Sequence, residues 1–193
     1  TDDTKKITLN YKNNKLKYIC NEKNKGLSAT RNTGINAAQG VYIAFLDDDD
    51  EWLPCKLEKQ VAKFKTSPEK VGVIYGGARS IIETTGRIIS DDIPTLKGNI
   101  FINCLRYAPG GGGSVPLIRK SCFENVGLYD ESFKAREDWD MYVRLSKIYE
   151  FDFIPEVLMI RYFHGTQMTT NLEITIQARQ KGITKHFQDL IKY

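Results

Sequence analysis

The sequence has few of the residues that build metal knuckles or disulfide frameworks, and it has no long apolar run. Its four cysteines are scattered over positions 20, 55, 104 and 122 with no close pair. This pattern argues against a zinc knuckle and favours reduced thiols in a cytoplasmic protein. The most apolar stretches, such as residues 41–46 and 71–75, have the length of a strand and are too short to span a membrane.

A strong excess of charge of one sign is also missing. The formal net charge is +4 over 193 residues, and the lysines are interspersed with acidic residues. Nucleic acid is therefore not implied as a partner. A mild basic excess is compatible with an anionic small ligand or with peripheral association with an anionic membrane surface, although it more often marks a solvated exterior.

The length fits one domain with a hydrophobic core, and the apolar pattern predicts its elements. Strands are predicted at 17–20, 41–46, 71–75, 79–83, 87–90, 114–118, 151–154 and 157–162. Helices are predicted at 27–38, 53–64, 100–105, 120–126, 139–148 and 172–191. This order predicts an α/β layered domain with a central mixed, mainly parallel sheet flanked by helices.

The strongest local feature is a run of four aspartates, Asp47 to Asp50, that follows the apolar residues 41–46. Ligands of open α/β sheets lie at the carboxyl ends of strands. Because successive strand residues face opposite ways, Asp47 and Asp49 are expected to converge while Asp48 faces elsewhere. Adjacent carboxylates repel, and Mg²⁺ or Mn²⁺ would compensate them. The alternative is an acidic turn in which Asp50 caps the next helix, which explains Asp50 but not the other three.

The residues around this run resemble a known family. Segments 24–34, NKGLSATRNTG, and 40–50, GVYIAFLDDDD, resemble the family 2 glycosyltransferases of the GT-A fold. The resemblance implies that Asp47, Asp48 and Asp49 bind a nucleotide-sugar donor, with a UDP-sugar favoured. It further implies that Asp47 and Asp49 hold the donor diphosphate through Mn²⁺ or Mg²⁺. Arg31 matches an arginine near the donor, although taken alone it would be read as a helix-surface residue.

A second block carries the acceptor side of the resemblance. Segments 126–131, VGLYDE, and 136–145, REDWDMYVRL, are similar to a family motif in which an aspartate after a glutamate is the catalytic base. Asp138 matches that base, with Glu137 and Trp139 beside the acceptor. The chemistry agrees, because attack on an anomeric carbon needs a group that takes the acceptor proton. The alternative is that Glu137 and Asp138 only favour a helix N-terminus.

Weaker candidates lie in a glycine run and near the last strand. Gly110 to Gly113 could let the backbone approach a sugar, which would place Gly112 and Gly113 on the acceptor side. A flexible loop is an equal interpretation of this run. Arg161 and His164 resemble a family pattern that reaches back to the diphosphate or metal, so His164 is a further metal candidate. A lone histidine is more often structural.

The family usually begins with a strand, a helix and a second strand that hold the uracil, and these are not seen before the first motif here. Residues 1–193 are therefore expected to form a single, N-terminally incomplete catalytic domain. The donor and metal half is expected over about 1–95, the acceptor half over about 96–170, and a C-terminal helix over about 171–193.

The resemblance implies an inverting glycosyltransferase that moves a sugar from a nucleotide-diphosphate sugar to an acceptor hydroxyl. A saccharide or lipid-linked acceptor, and bacterial surface polysaccharide synthesis at the inner face of the membrane, are implied in the same way. The alternative is a noncatalytic nucleotide- or sugar-binding module derived from such an enzyme. A nucleotidyltransferase is disfavoured because the sequence offers no glycine-rich, basic phosphate loop.

Overall fold

A computed structural model describes residues 3–11, 13, 15–108, 112–165 and 171–193. Its helices are α1 Thr4–Asn10, α2 Leu27–Ala37, α3 Lys56–Thr66, α4 Phe101–Arg106, α5 Lys120–Val126, α6 Glu137–Ile148, α7 Leu172–Lys185 and α8 Phe187–Lys192. Its strands are β1 Tyr42–Ala44, β2 Asp50–Trp52, β3 Val71–Ile82, β4 Ile88–Asp92, β5 Leu117–Arg119 and β6 Glu150–Phe163. The predicted α/β class is confirmed.

The strands form one mixed sheet in the order β1-β5-β3-β6-β2, and β4 pairs with β3 off this path. Strands β3 and β6 are parallel, whereas β1 with β5, β3 with β5, β3 with β4 and β2 with β6 are antiparallel. The expectation of a mainly parallel sheet is therefore wrong for the described strands. Part of the reason is that β4 returns directly after β3 through a tight turn at Gly86, and strands joined in this way are antiparallel.

The two longest strands were each predicted as two shorter ones. The predicted break in β3 falls at Gly76 and Gly77, where glycines usually weaken a strand. In the structure a Cβ atom at Gly76 would lie 2.3 Å from Leu158 of β6, and one at Gly77 would lie 2.9 Å from the carbonyl oxygen of Glu156. These glycines therefore permit close contact between β3 and β6. The register shifts at the same place, beside Pro155, which has no N–H to donate.

Other boundaries also differ from the sequence expectation. Residues 17–20 form no strand, and the predicted C-terminal helix is divided into α7 and α8 at His186. Asp50 does not cap a helix, because it begins β2 and lies opposite Arg161 of β6. Helix α3 begins six residues later, with Cys55 at its N-cap. The acidic run therefore ends in a strand that ties it to the sheet.

The sheet is buried on both faces by two apolar clusters. Val73 packs with α6 residues such as Met141 on one face, whereas its neighbour Ile74 packs with Phe64 of α3 on the other. Adjacent strand residues point to opposite faces, so a continuous apolar run suits a strand covered on both sides. The site loops therefore extend from a packed scaffold.

Two expectations about the whole chain can be compared with the structure. All four cysteines are free thiols, as predicted. Of the helices that the structure describes, none has both the length and the hydropathy that a bilayer crossing requires.

Candidate active site

A cleft of about 1230 Å³ lies where β1 ends and α6 begins. The structure brings ten of the candidate site residues to the wall of this cleft. They are Arg31, Asp47, Asp48, Asp49, Gly112, Gly113, Glu137, Asp138, Trp139 and His164. The acidic run and the acceptor-side motif thus belong to one site, and the roles assigned to individual residues remain predictions.

Arg31 joins the two motifs through a buried ion-pair network. It lies on α2 with 5% of its surface exposed, and its guanidinium carbon is 5.6 and 5.5 Å from the ring centroids of Phe45 and Tyr129. Its guanidinium donates to both carboxylate oxygens of Asp47, at 2.9 and 3.2 Å, and to Oε1 of Glu137 at 2.5 Å. The interpretation of Arg31 as a residue on the helix surface is therefore wrong, because this side chain is internal and links the donor motif to the acceptor motif.

Glu137 and Asp138 are neighbours in sequence but have different environments. Glu137 is buried and bound to Arg31. Burial raises the pKa of Glu137, the charge of Asp138 raises it further, and Arg31 opposes both effects. Asp138 is half-buried, and no described basic side chain lies within ion-pair distance of it; its Oδ1 accepts the backbone N–H of Trp139 at 2.7 Å. Asp138 thus has carboxylate lone pairs available for a ligand, whereas Glu137 is committed to Arg31.

Asp47 and Asp49 have separate partners in the structure. Arg31 holds Asp47, while Oδ2 of Asp49 lies 3.2 Å from Nε2 of His164, just after β6. A carboxylate oxygen and an imidazole nitrogen this close could be adjacent ligands of one divalent ion such as Mn²⁺. Over the described parts of the chain, no three or more His, Cys, Asp or Glu side chains are grouped as a metal site. Any ion bound here would therefore need ligand or water oxygens to complete its coordination.

Asp50 lines the same cleft as Asp47 and Asp49, but it is the first residue of β2. Burial raises its pKa, a hydrogen bond from Ser114 and the charge of Arg161 oppose this, and the charges of Asp47 and Asp49 add to the increase. Burial is therefore the main cause of the raised pKa of Asp50, and repulsion from Asp47 and Asp49 is the smaller one.

The glycine-rich segment packs directly against the ion-pair network. A Cβ atom at Gly113 would lie 2.5 Å from Nη2 of Arg31. The carbonyl of Gly112, which has a φ of 103°, accepts a hydrogen bond from the hydroxyl of Tyr142 at 2.8 Å. The close approach predicted for this segment is thus made to a protein side chain. Gly110 and Gly111 lie outside the described residues.

Sequence reasoning missed Ser114, which fixes the acidic run to the glycine segment. Its Oγ accepts the N–H of Asp47 at 3.0 Å, and its carbonyl accepts the indole N–H of Trp52 at 2.8 Å. A serine after a glycine run carries no distinguishing pattern, so only the contact reveals its role. Trp139, predicted beside the acceptor, is 5% exposed and donates its indole N–H to the carbonyl of Cys104.

Gly113→Ala is expected to lower the free energy of unfolding by about 1–3 kcal/mol, the range for a methyl group forced into a packed site. The added methyl would displace Arg31 from Asp47 and Glu137. Urea denaturation measures the change. Gly34→Ala is the matched control, because Gly34 is an exposed helical glycine with nothing within 4 Å of the new Cβ. Its stability should stay equal or rise, and equal behaviour of both variants would contradict the packing account.

In open α/β sheets the ligand-binding crevice lies at the carboxyl ends of strands, and this aspartate-rich cleft lies at such a strand end. The chain matches the family described as "Glycosyl transferase family 2" over residues 1–125. It therefore belongs to this family of glycosyltransferases.

Individual relatives support this assignment. An uncharacterized glycosyltransferase of Rickettsia conorii is 30% identical over 86% of this chain and 28% of its own length. The Escherichia coli protein WfgD, a "UDP-Glc:alpha-D-GlcNAc-diphosphoundecaprenol beta-1,3-glucosyltransferase", is 40% identical over 54% of this chain and 43% of its own. The match therefore includes a relative with a named glycosyl-transfer reaction.

The fold has a counterpart among solved structures. TarS 1-349 of S. aureus in complex with UDP-GlcNAc superposes with a TM-score of 0.72, at 18% identity, over 89% of this chain and 49% of that one. This likeness confirms the GT-A type of fold. The chain spans about a quarter to a half of the lengths of the first relatives it matches.

Proposed function

We propose that the cleft transfers a sugar from a nucleoside-diphosphate sugar to an acceptor hydroxyl, with inversion at the anomeric carbon. One observation carries the proposal. The acidic run and Asp138 line the same cleft, and Arg31 is bound to Glu137, whereas no described basic side chain lies within ion-pair distance of Asp138. A donor-binding motif thus lies beside a carboxylate that is available to accept a proton.

On the donor side, Asp47, Asp48 and Asp49 bind the nucleotide, and Asp49 with His164 would hold Mn²⁺ or Mg²⁺. The carboxylate of Asp49 suits either ion, and Nε2 of His164 lies 3.2 Å from its Oδ2. A bound divalent ion would offset the charge of the departing diphosphate. Arg31 fixes the orientation of Asp47 through two hydrogen bonds. A UDP-sugar is the favoured donor, as in the name of the WfgD relative.

On the acceptor side, Asp138 takes the proton of the attacking hydroxyl. The hydroxyl oxygen bonds to the anomeric carbon as the bond from that carbon to the diphosphate oxygen breaks, and the nucleoside diphosphate leaves with the electron pair. Glu137 and the backbone of Trp139 hold the start of α6 in place. A saccharide or lipid-linked acceptor of bacterial surface polysaccharide synthesis is the proposed class, in agreement with the reaction in the name of WfgD.

The donor assignment is tested by calorimetric titration of UDP and GDP, with MnCl₂ and with a chelator. UDP should bind with Mn²⁺ and lose at least about tenfold in affinity with the chelator, because carboxylates and a diphosphate repel without a cation. Asp49→Asn should bind weakly under both conditions. Asp92→Asn, which changes an exposed aspartate of β4 away from the cleft, should behave as wild type. Equal UDP affinity with metal and with chelator would remove the metal from the proposal.

A further inference from the structure

Three arginines that the proposed reaction does not use gather at the Trp139 end of the cleft. Arg106 is the last residue of α4, Arg136 immediately precedes α6, and Arg179 lies on α7. All three line the main cleft, and all three also line an adjoining side pocket of about 160 Å³. They therefore surround the opening between the two spaces.

Arg136 is held at this opening at a conformational cost. Its φ of 59° makes it the one non-glycine residue with a left-handed backbone in the part of the chain that the structure describes. For an L-residue this conformation costs about 1–2 kcal/mol. Its Nε is buried with no hydrogen-bond partner, and its guanidinium lies 5.3 Å from the centroid of the Trp139 ring. The backbone thus fixes a cation whose Nε–H has no hydrogen-bond partner among the described residues.

The positive charge of the cluster is not balanced by ion pairs. Within the described ranges, no carboxylate lies within ion-pair distance of Arg106, Arg136 or Arg179. Burial and the charge of Arg179 both lower the pKa of Arg136, and the charge of Asp138 opposes them. Guanidinium groups bind the oxygens of carboxylates and phosphates through paired hydrogen bonds, and the several oxygens of a phosphate group can bond to more than one of the three arginines that line this space.

The residues around the three arginines indicate which other chemical groups a ligand bound there would carry. Asp138 lies in the same cleft, two residues after Arg136 in sequence. On the other side, Leu105, Ile183 and Leu190 give the side pocket an apolar lining. A ligand could therefore place a sugar hydroxyl at Asp138, a phosphate on the arginines and the first carbons of an alkyl chain in the side pocket.

We propose that Arg106, Arg136 and Arg179 form an acceptor subsite that binds a phosphate or diphosphate group of the acceptor. The identification of the ligand as the acceptor rests on the proposed function, whereas the binding of a phosphate group does not. The subsite positions the acceptor relative to Asp138 and is separate from the donor residues Asp49 and His164.

The test titrates inorganic pyrophosphate and farnesyl diphosphate into the purified protein in the presence of a chelator. The variant is Arg106→Gln/Arg179→Gln, in which both changed side chains are exposed, so the melting temperature should not change. Its affinity for pyrophosphate should fall at least about tenfold, because charge-assisted hydrogen bonds are lost. Arg87→Gln, in the turn before β4 and away from the cleft, should retain wild-type affinity.

The outcomes separate this subsite from the donor site. If farnesyl diphosphate binds the wild type more tightly than pyrophosphate, a lipid-linked acceptor is supported; equal affinity supports a phosphorylated acceptor without a lipid. Pyrophosphate binding that the double variant leaves unchanged overturns the subsite, as does a parallel loss of Mn²⁺-dependent UDP affinity in that variant. If the wild type binds no UDP but binds pyrophosphate through the arginines, the phosphate subsite stands and the proposed donor function fails.

Discussion

Asp138→Asn is expected to reduce sugar transfer by roughly 10²-fold or more while leaving folding and donor binding intact. Asparagine has nearly the same size and can still accept the N–H of Trp139, but it cannot take a proton as a carboxylate does. Transfer and Mn²⁺-dependent UDP binding should be measured on the same preparation, together with the melting temperature.

The neighbouring residue supplies the control for this prediction. Glu137→Gln removes the charge that faces Arg31 inside the protein, so its first effect should be a lower melting temperature. If Asp138→Asn retains near-normal transfer, its carboxylate only stabilises the start of α6. If instead the melting temperature of Asp138→Asn falls as that of Glu137→Gln does, the carboxylate is structural and the base lies elsewhere.

Arg31→Met is expected to lower the free energy of unfolding by about 3–5 kcal/mol, the usual effect of removing one partner from a buried ion pair. The substitution leaves the carboxylates of Asp47 and Glu137 without their cation. Urea denaturation at neutral pH measures the loss. Part of it should be recovered at acidic pH, because protonated carboxylates no longer need a compensating charge.

Arg31→Lys separates charge from geometry in the same experiment. A lysine keeps the charge but cannot donate in a planar fork to two carboxylates, so its stability should fall between those of wild type and Arg31→Met. A loss of less than about 1 kcal/mol in Arg31→Met would place the pair among weak surface salt bridges and contradict the network described above.

The acidic site could be predicted from sequence because its signals are local. An apolar strand followed by carboxylates identifies a strand end, and helical spacing located α2, α5 and most of α6. The resemblance then joined two distant motifs in one site. The cleft contains all of the residues that these signals selected.

The contacts inside the site could not be predicted because they join distant parts of the chain. Arg31 and Glu137 are 106 positions apart, and no local pattern of charge indicates that they pair. The contact between Gly113 and Arg31 depends in the same way on the path of the backbone. Helical position alone therefore suggested a surface arginine where the structure has an internal one.

The strand errors have a different origin. The predicted break in β3 falls at Gly76 and Gly77, whose missing side chains instead admit β6. The left-handed backbone at Arg136 also had no signal, because glycine or asparagine is expected in that conformation. The arginine cluster could not be predicted from the sequence, because only the fold brings its three elements together.

The central claim is tested most directly by following nucleotide-sugar turnover in the purified protein. UDP-glucose, UDP-GlcNAc and GDP-mannose are supplied in turn with Mn²⁺ and an alkyl-linked sugar diphosphate acceptor. Nucleoside diphosphate release is recorded, and the anomeric configuration of the product is read by NMR. The account predicts that a UDP-sugar is consumed, that UDP release requires the acceptor, and that the product has inverted configuration. Donor that binds but is never cleaved would contradict the account in favour of a noncatalytic module, and a retained configuration would contradict the single displacement at Asp138.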